Sequence, residues 1–220
     1  MNIIVTSGKI LENIDKVRSI SNHSTGELGK LIATKLEQKK VTVYYVYSEH
    51  LPPNPSEYMK NVFVKTIEDL EKELTNLLIT KKIDVVIHAM AVSDYRPVGI
   101  IKNGITVPIP CKISSNDEKL ILVLSKNKKV ISIIKNISPK TKLIGFKLLA
   151  NVSEEELVSV AKDSMKKNKA DIVVANDIKN ITKNRHRAII IEKNNQTIAK
   201  TKKDIANILI EKLMALLPTK

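Results

Sequence analysis

The chain has 220 residues, a length typical of one domain with a substantial core. Hydrophobic residues make up 43% of the chain and charged residues 27%, a composition that excludes wholesale disorder. The single cysteine excludes an internal disulfide framework. The start of the chain resembles a buried strand rather than a leader. We therefore expect a cytoplasmic protein, and we expect no membrane span. The net charge of +14 comes mostly from lysines spread along the chain, and aromatic residues are only 3%, which favours solvated helix faces over a nucleic-acid-binding surface.

Apolar strand-like runs alternate with amphipathic helical stretches along most of the chain. Strands are predicted at 2–7, 41–47, 61–66, 84–90, 142–149 and 171–175, and helices at 25–40, 66–82 and 153–168. Nearly continuous apolar strands that are separated by helices indicate a parallel sheet covered on both faces. The predicted fold is therefore α/β, a three-layer Rossmann-like sheet that is mostly parallel, in which ligands bind beyond the carboxyl ends of the strands.

The C-terminal part of the chain has a different pattern. Two apolar stretches flank Asn194 and Asn195, which predicts a β-hairpin, and an amphipathic helix is predicted at 201–216. At three predicted helix starts, a hydroxyl residue at the N-cap is followed three residues later by a carboxylate. The side-chain oxygens accept hydrogen bonds from free backbone N–H groups, and the negative charge interacts favourably with the helix dipole. These pairs are Ser24 with Glu27, Ser153 with Glu156, and Thr201 with Asp204.

Residues 93–118 interrupt the alternation of strands and helices. This stretch contains three prolines and two glycines and is too long for a simple connector. We therefore expect a flap or an extended arm there, followed by a strand at 120–124 and a short helix near 128–137. Since no linker indicates a second domain, residues 1–220 are expected to form a single domain.

The stretch RSISNHSTGELGKLIA (18–33) follows the first predicted strand and has the composition of an anion site. Backbone N–H groups at a helix start bind anions, Ser24 and Thr25 would add hydroxyl donors, and Gly26 would allow close backbone approach. Arg18 could bind phosphate in a bidentate manner. The alternative is that Ser24 and Glu27 only cap the helix, although capping leaves Arg18, Asn22 and His23 unexplained.

Three further stretches place polar residues after strands. In HAMAVSDYRP (88–97), Asp94 could accept hydrogen bonds from a base amine or a sugar hydroxyl, or it could cap a turn. In CKISSNDEK (111–119), Lys112 could reach a triphosphate, although a plain turn is the simpler interpretation. Phe146 could stack on a base. The four histidines lack metal-binding spacing, and no structural metal is predicted.

Taken together, these segments resemble phosphopantothenate–cysteine ligase, an enzyme of coenzyme A biosynthesis. The resemblance lies in VTSG (5–8), ENIDKVRSISNHSTGELG (12–29), AVSDYRP (91–97), KISS (112–115), IGFK (144–147) and ADIVVAND (170–177). At this length the chain resembles the stand-alone form, with the decarboxylase expected as a separate chain. The resemblance implies that CTP or ATP, with Mg²⁺, activates the carboxylate of 4'-phosphopantothenate as an acyl-nucleotide, which the amine of cysteine then attacks.

The resemblance also implies roles for particular residues. Asn22 matches the asparagine that holds the acyl-nucleotide, and Lys112 matches a mobile-loop lysine of the same half-reaction. The positions that match nucleotide contacts are His88, Ala89 and Met90 (through their backbone), Asp94, Lys128, Lys129, Val130, Ile131 and Phe146. Family members are homodimers in which the arm of one subunit reaches the site of the other, which would make 93–118 a dimerisation arm.

The sequence departs from the family pattern at two places. Gly8-Lys9-Ile10 stands where Gly-Gly-Thr is common, and Ser164 and Asn168 stand where two helix lysines contact the nucleotide. Lys162, Lys166 or Lys167 could substitute for those lysines. Two alternatives stay open, a nucleotide-cofactor oxidoreductase on a similar sheet and a basic nucleic-acid-binding domain, although no G-x-G-x-x-G follows the first strand.

Overall fold

The computed structural model describes residues 1–49, 52–116, 118–182 and 185–216. Its strands are β1 Asn2–Ser7, β2 Glu12–Asn13, β3 Ser19–Ile20, β4 Thr42–Tyr47, β5 Met59–Phe63, β6 Val85–His88, β7 Tyr95–Lys102, β8 Ile105–Val107, β9 Ile121–Lys126, β10 Lys142–Leu149, β11 Ile172–Ile181, β12 His186–Ile191 and β13 Gln196–Ala199. Its helices are α1 Glu27–Gln38, α2 Ile67–Thr80, α3 Ile131–Ile137, α4 Glu154–Asn168 and α5 Lys202–Leu216. Asp117, within the CKISSNDEK stretch, lies outside the described residues.

The central sheet has eight strands in the order β13-β12-β11-β10-β6-β1-β4-β5. All pairs from β5 to β11 are parallel, and β12 and β13 add an antiparallel edge. The mostly parallel sheet and the C-terminal hairpin are therefore confirmed. Since β4 and β5 lie on one side of β1 while β6 lies on the other, the strand order reverses between β1 and β6.

Helices cover both faces of this sheet because alternate strand residues point to opposite sides. Ile3 and Val5 pack in a core cluster with residues of α1 and α5, whereas Ile4 belongs to a second cluster with residues of α2 and α3. A third cluster joins α4 to β11 through Leu157 and Val173. The three-layer arrangement predicted from the sequence is confirmed. Within the described ranges, no helix combines the length and the apolar character that a membrane span requires.

Two of the three predicted helix caps are confirmed. Ser153 accepts the N–H of Glu156, and Thr201 and Asp204 exchange bonds between side chain and backbone. The prediction for Ser24 is wrong, because the N-cap of α1 is Gly26, which has a left-handed φ of 73° and no side-chain capping bond. Ser24 therefore lies two residues before the N-cap and does not occupy it.

The second glycine of the same motif is explained by packing. A Cβ atom at Gly29 would lie 2.4 Å from the Ser7 Oγ and 2.6 Å from the Ser7 Cβ. The Ser7 hydroxyl in turn donates a hydrogen bond of 2.7 Å to the carbonyl oxygen of Gly26. The pair Gly26 and Gly29 therefore allows α1 to start directly against the end of β1.

Gly29→Ala tests this close approach. Alanine favours helix by about 1 kcal/mol over glycine, so propensity alone predicts a more stable protein. Because the added methyl group collides with Ser7, we expect instead a net loss of about 1–3 kcal/mol in the free energy of unfolding. Urea denaturation measures the change. The exposed Gln38→Ala on the same helix serves as the control, and a stabilised Gly29→Ala protein would contradict the packing argument.

The expected arm is a small antiparallel sheet outside the central one. Strands β7, β8 and β9 pair in the order β8-β7-β9, so the arm includes the strand predicted at 120–124. Asn103 and Gly104 connect β7 to β8 with φ values of 49° and 78°, as in a two-residue type I′ hairpin. Within the predicted segment 93–118, residues 95–102 and 105–107 are thus paired strands, whereas 108–116 form no strand.

Candidate functional site

The turns that follow β1 and β6 are hydrogen-bonded to each other at the edge of the sheet formed by the carboxyl ends of the parallel strands. We call this edge the crest. Thr6 pairs with His88 inside the sheet, and the pairing continues beyond the strands. The Ala91 N–H donates to the Gly8 carbonyl at 2.9 Å, and the Ile10 N–H donates to the Ala91 carbonyl at 3.0 Å. The crest therefore brings two of the predicted site segments together where the strand order reverses, the usual place of a ligand site in such sheets.

Asn22 lies at the crest beside the segment that follows β6. Its Nδ2 donates to the Val92 carbonyl at 3.4 Å, a long hydrogen bond that joins residues 70 positions apart in sequence. The Asn22 residue is exposed. The amide thus bonds to the segment that follows β6 while staying accessible to a ligand.

Asp94 is held by the segment that precedes α3. Lys129 forms an ion pair with its carboxylate, and the Asn127 N–H donates to its carbonyl at 2.8 Å. The buried Asn127 side chain also donates to the Ser93 carbonyl at 3.1 Å and to Glu12 Oε1 at 2.9 Å. About half of each charged side chain in the Asp94–Lys129 pair is exposed, so this pair adds little stability and both groups are accessible.

Phe146 lies on β10, next to β6 in the sheet. Its neighbour Gly145 pairs with His88, and a Cβ atom at Gly145 would lie 3.3 Å from Ile131 Cδ1. Phe146 is half-buried, Lys128 is exposed and Val130 is buried. Phe146 packs on the face of the sheet covered by α1 and α5, whereas Val130 and Ile131 pack on the face covered by α2 and α3. The structure therefore places Phe146 and these two residues on opposite faces of the sheet, and their contact with a nucleotide stays a prediction.

His88 is part of the protein interior rather than an exposed ligand group. Its Nδ1 lies 2.9 Å from Thr6 Oγ1, which also accepts the Met90 N–H at 3.2 Å. Burial lowers the pKa of His88 to about 4, so the imidazole is neutral near pH 7. A nucleotide contact at His88, Ala89 and Met90 would therefore depend on the backbone, as the resemblance implies.

Arg18 contacts the segment that carries Lys112. Its NH1 donates to Asp15 Oδ2 at 2.9 Å and to the Ile113 carbonyl at 3.2 Å. The Arg18 side chain is 41% exposed, and Lys112 is also exposed. Binding of a phosphate by Arg18, Ser24, Thr25 and Gly26 stays a prediction.

The two helix positions that depart from the family pattern bond to one another. Asn168 Nδ2 donates to the Ser164 carbonyl at 2.9 Å and to its Oγ at 3.2 Å. Helix α4 starts at the crest and runs away from it, so Lys166 and Lys167 lie roughly 18 Å along the helix and Lys162 roughly 12 Å. Of the three candidate substitutes, Lys162 is the nearest to the crest.

Asp177 at the crest end of β11 holds the loop between β10 and α4. Its carboxylate accepts the N–H groups of Asn151 at 3.1 Å, Val152 at 2.9 Å and Lys179 at 3.0 Å. Burial alone would raise the pKa of Asp177, but these hydrogen bonds outweigh it and lower the pKa to about 2. The loop is therefore fixed by an ionised group.

Asp177 should contribute a defined acid sensitivity to the fold. Because its pKa in the folded chain lies below the unfolded value of 3.8, its stabilisation is present above about pH 4 and is lost as the pH falls towards about 2. Asp177→Asn should lower the melting temperature near neutral pH and lose less stability over that acidic range than the native chain. Thermal melts against pH measure both, with the exposed Asp163→Asn as control; an unchanged profile would contradict this role.

Sequence reasoning missed several polar residues that build the site. Asp15, Thr6 and Asn127 are buried, and their partners lie far away in the chain. Only Asp15 had a local signal, because an aspartate that precedes two residues with free N–H groups can form a side-chain turn. Within the described part of the chain, no group of three or more His, Cys, Asp or Glu residues is placed to hold a metal ion.

The fold is that of a doubly wound α/β domain, a class in which ligands usually bind at the reversal of strand order. The family described as DNA/pantothenate metabolism flavoprotein C-terminal domain matches residues 1–217. The chain belongs to this family, which confirms the resemblance found in the sequence.

The chain is similar to curated and solved members of this group. It is 34% identical over 178 residues to the coenzyme A biosynthesis bifunctional protein CoaBC of Thermococcus kodakarensis, and 31% identical over 176 residues to that of Methanocaldococcus jannaschii. These matches cover 80% of this chain but only 41% and 40% of those proteins. The chain therefore spans about two fifths of the length of these curated relatives.

Solved structures share the fold over nearly the whole chain. The DNA/pantothenate metabolism flavoprotein from Streptococcus pneumoniae superposes with a TM-score of 0.90 at 40% identity, covering 99% of this chain and 100% of that one. A Cab2 mutant in complex with phosphopantothenate-cysteine has a TM-score of 0.78 at 17% identity, with 97% and 85% coverage. At that identity the second likeness shows the fold alone.

Proposed function

We propose that the chain joins 4'-phosphopantothenate to cysteine in coenzyme A biosynthesis, as an acid–amino-acid ligase that forms an acyl-nucleotide. Family membership and the role of the CoaBC relatives in coenzyme A biosynthesis support this proposal. A protein of the same fold has been solved with phosphopantothenate-cysteine, the product of that reaction. The observation that carries the proposal furthest is that Asn22 bonds to Val92 in the segment after β6, which also contains Asp94, the ion-pair partner of Lys129.

The proposed reaction has two steps. A carboxylate is a poor electrophile, so it first attacks the α-phosphate of the nucleoside triphosphate, and pyrophosphate leaves. The amine of cysteine then attacks the acyl carbon, the nucleoside monophosphate leaves, and an amide forms. The chain would contribute positioning and charge stabilisation, with the Asn22 amide as a donor to the acyl-nucleotide and Lys112 as a cation near its phosphate.

CTP or ATP would be the co-substrate, with Mg²⁺ bound to its phosphates. Magnesium in such sites is held by substrate phosphates with only one or two protein carboxylates. At the crest, Asp94 offers an accessible carboxylate for this mode of binding. Lys129 would then leave Asp94 and face the negative charge of the nucleotide.

An assay with purified protein tests the proposed function. The protein is incubated with 4'-phosphopantothenate, cysteine, Mg²⁺ and either CTP or ATP, and pyrophosphate and amide are measured. We expect both products in equal amounts and only when the acid is present. Pyrophosphate release that does not depend on the acid would contradict the ligase, and the preferred nucleotide is identified in the same experiment.

The arm sheet is proposed to join two copies of this chain. Seven large apolar residues of the arm are exposed: Tyr95, Val98, Ile101, Ile105, Leu120, Ile121 and Leu124. Ile101 pairs with Ile121 across β7 and β9, so both side chains lie on the same face of the arm sheet. The same register places Ile105, which pairs with Lys102, and Leu124, three residues after Ile121, on the other face, so exposed apolar side chains lie on both faces of the arm sheet. Exposed apolar surface of this kind on a regular sheet favours association with a second copy of the chain.

Ile121→Lys should weaken the proposed dimer. A buried, unpaired ammonium opposes association, so we expect the dimer dissociation constant to rise about 10-fold or more. Analytical ultracentrifugation over a range of concentrations measures this constant. Ile79→Lys, which changes an isoleucine of α2 that is 69% exposed, is the matched control. A native chain that sediments as a monomer at all concentrations would contradict the dimer.

A further inference from the structure

Asp15 carries a hydrogen-bond network that the proposed mechanism does not use. Its side chain has no exposed surface, and each carboxylate oxygen accepts two hydrogen bonds. Oδ1 accepts the N–H groups of Val17 at 2.8 Å and Arg18 at 2.7 Å, which closes the turn between β2 and β3. Oδ2 accepts Arg18 NH1 at 2.9 Å and the N–H of Ile113 at 3.0 Å. One oxygen therefore holds the local turn, and the other reaches a distant segment.

That distant segment is the one that carries Lys112. Both neighbours of Lys112 are fixed by the same turn, because the Lys16 N–H donates to the Cys111 carbonyl at 3.0 Å and Ile113 bonds to Asp15. Arg18 NH1 adds a bond to the Ile113 carbonyl at 3.2 Å. Ile113 is 3% exposed, whereas Lys112 between the two anchors is exposed. The backbone of Lys112 is thus held while its side chain is free to reach a ligand.

The same turn leads directly to Asn22. Strand β3 follows the turn, and Asn22 lies two residues beyond the end of that strand. The two residues expected to act on the acyl-nucleotide therefore depend on one short element. Hydrogen bonds from backbone N–H groups, the strongest of them from Ile113 and the others from Val17 and Arg18, lower the pKa of Asp15 to about 2. The carboxylate is therefore ionised near neutral pH.

We propose that Asp15 is a positioning residue that holds the Lys112 segment at the crest for the amide-forming step. This inference rests on the proposed function, since it acts through Lys112. A displacement of about 1 Å in a group that stabilises charge can slow a reaction about 100-fold. The Asp15 carboxylate would act only through the backbone on either side of Lys112 and would not contact the substrate.

Asp15→Asn removes the distant contact selectively. The amide oxygen can still accept the N–H groups of Val17 and Arg18, but the amide NH₂ would face two donors, Ile113 N–H and Arg18 NH1. We expect amide formation to fall about 10- to 100-fold while acid-dependent pyrophosphate release in a single turnover changes little. In a Lys112→Gln background the same substitution should cause little further loss, because both act on one step.

The single cysteine provides a direct probe of the segment. Cys111 is exposed and adjacent to Lys112, so a nitroxide label attached to its thiol reports local mobility without added mutations. Electron paramagnetic resonance should show an immobilised label in the native chain and a more mobile one in Asp15→Asn. This measurement needs no substrate, so it separates failure of the positioning role from failure of the proposed ligase activity.

Asp177→Asn is the matched control, because Asp177 is also a buried carboxylate that fixes a crest loop through backbone N–H groups. It should leave the label immobilised and the ratio of amide to pyrophosphate unchanged. If Asp15→Asn does not fold, Asp15→Ser retains a hydroxyl acceptor for the turn but is too short to reach Ile113. An immobilised label in the Asp15 variants, an equal loss of both half-reactions, or full additivity with Lys112→Gln would overturn the proposal.

Discussion

Asn22→Ala should stop the proposed reaction after its first half. Acyl-nucleotide should accumulate while amide formation falls about 100-fold or more, because the substitution removes a donor that is proposed to contact the intermediate rather than the free substrates. Rapid quenching followed by mass spectrometry would detect the acyl-nucleotide. A burst of pyrophosphate equal to the enzyme concentration should precede the slow phase.

The structure makes this result separable from a folding defect. Asn22 is exposed, and its one described bond, to the Val92 carbonyl, is 3.4 Å long, so the melting temperature should change little. His23→Ala changes the next exposed residue and is the matched control. Amide turnover at the native rate in Asn22→Ala would remove Asn22 from the mechanism.

Lys112→Gln should have the second largest effect on catalysis. Loss of the cation that is proposed to lie beside the leaving nucleotide should slow amide formation about 100-fold, while the first half-reaction is affected less. Because Lys112 is exposed and its neighbours carry the anchoring bonds, the variant should melt within about 1 °C of the native chain. Steady-state amide formation and calorimetry measure the two quantities.

Lys119→Gln is the matched control for Lys112→Gln, since it removes an exposed lysine seven residues further along the same stretch. It should retain native activity and native stability. If Lys112→Gln lost activity and stability in parallel, Lys112 would be a structural residue of the arm. If both lysine variants slowed the reaction equally, the effect would come from the general positive charge.

The sequence alone determined those parts of the protein that depend on local periodicity. Alternation of apolar strands with amphipathic helices predicted the parallel sheet, its layers and the final hairpin, because burial on both faces requires that pattern. Local hydroxyl and carboxylate pairs predicted the starts of α4 and α5 at Ser153 and Thr201. The order of polar turns after strands predicted that Asn22 and Asp94 would lie at the same edge of the sheet.

Contacts between distant residues decided the rest, and no local pattern contains them. The start of α1 depends on Ser7, which lies 19 residues from Gly26 and excludes a side chain at Gly29, so the predicted Ser24 cap does not form. Asp15 reaches Ile113 across 98 residues, and Asn127 reaches Glu12 across 115. A buried polar group needs a hydrogen-bond partner, but its neighbours in the sequence do not indicate which distant residue provides it. The tertiary structure therefore determines how the segment that carries Lys112 is held against the turn between β2 and β3.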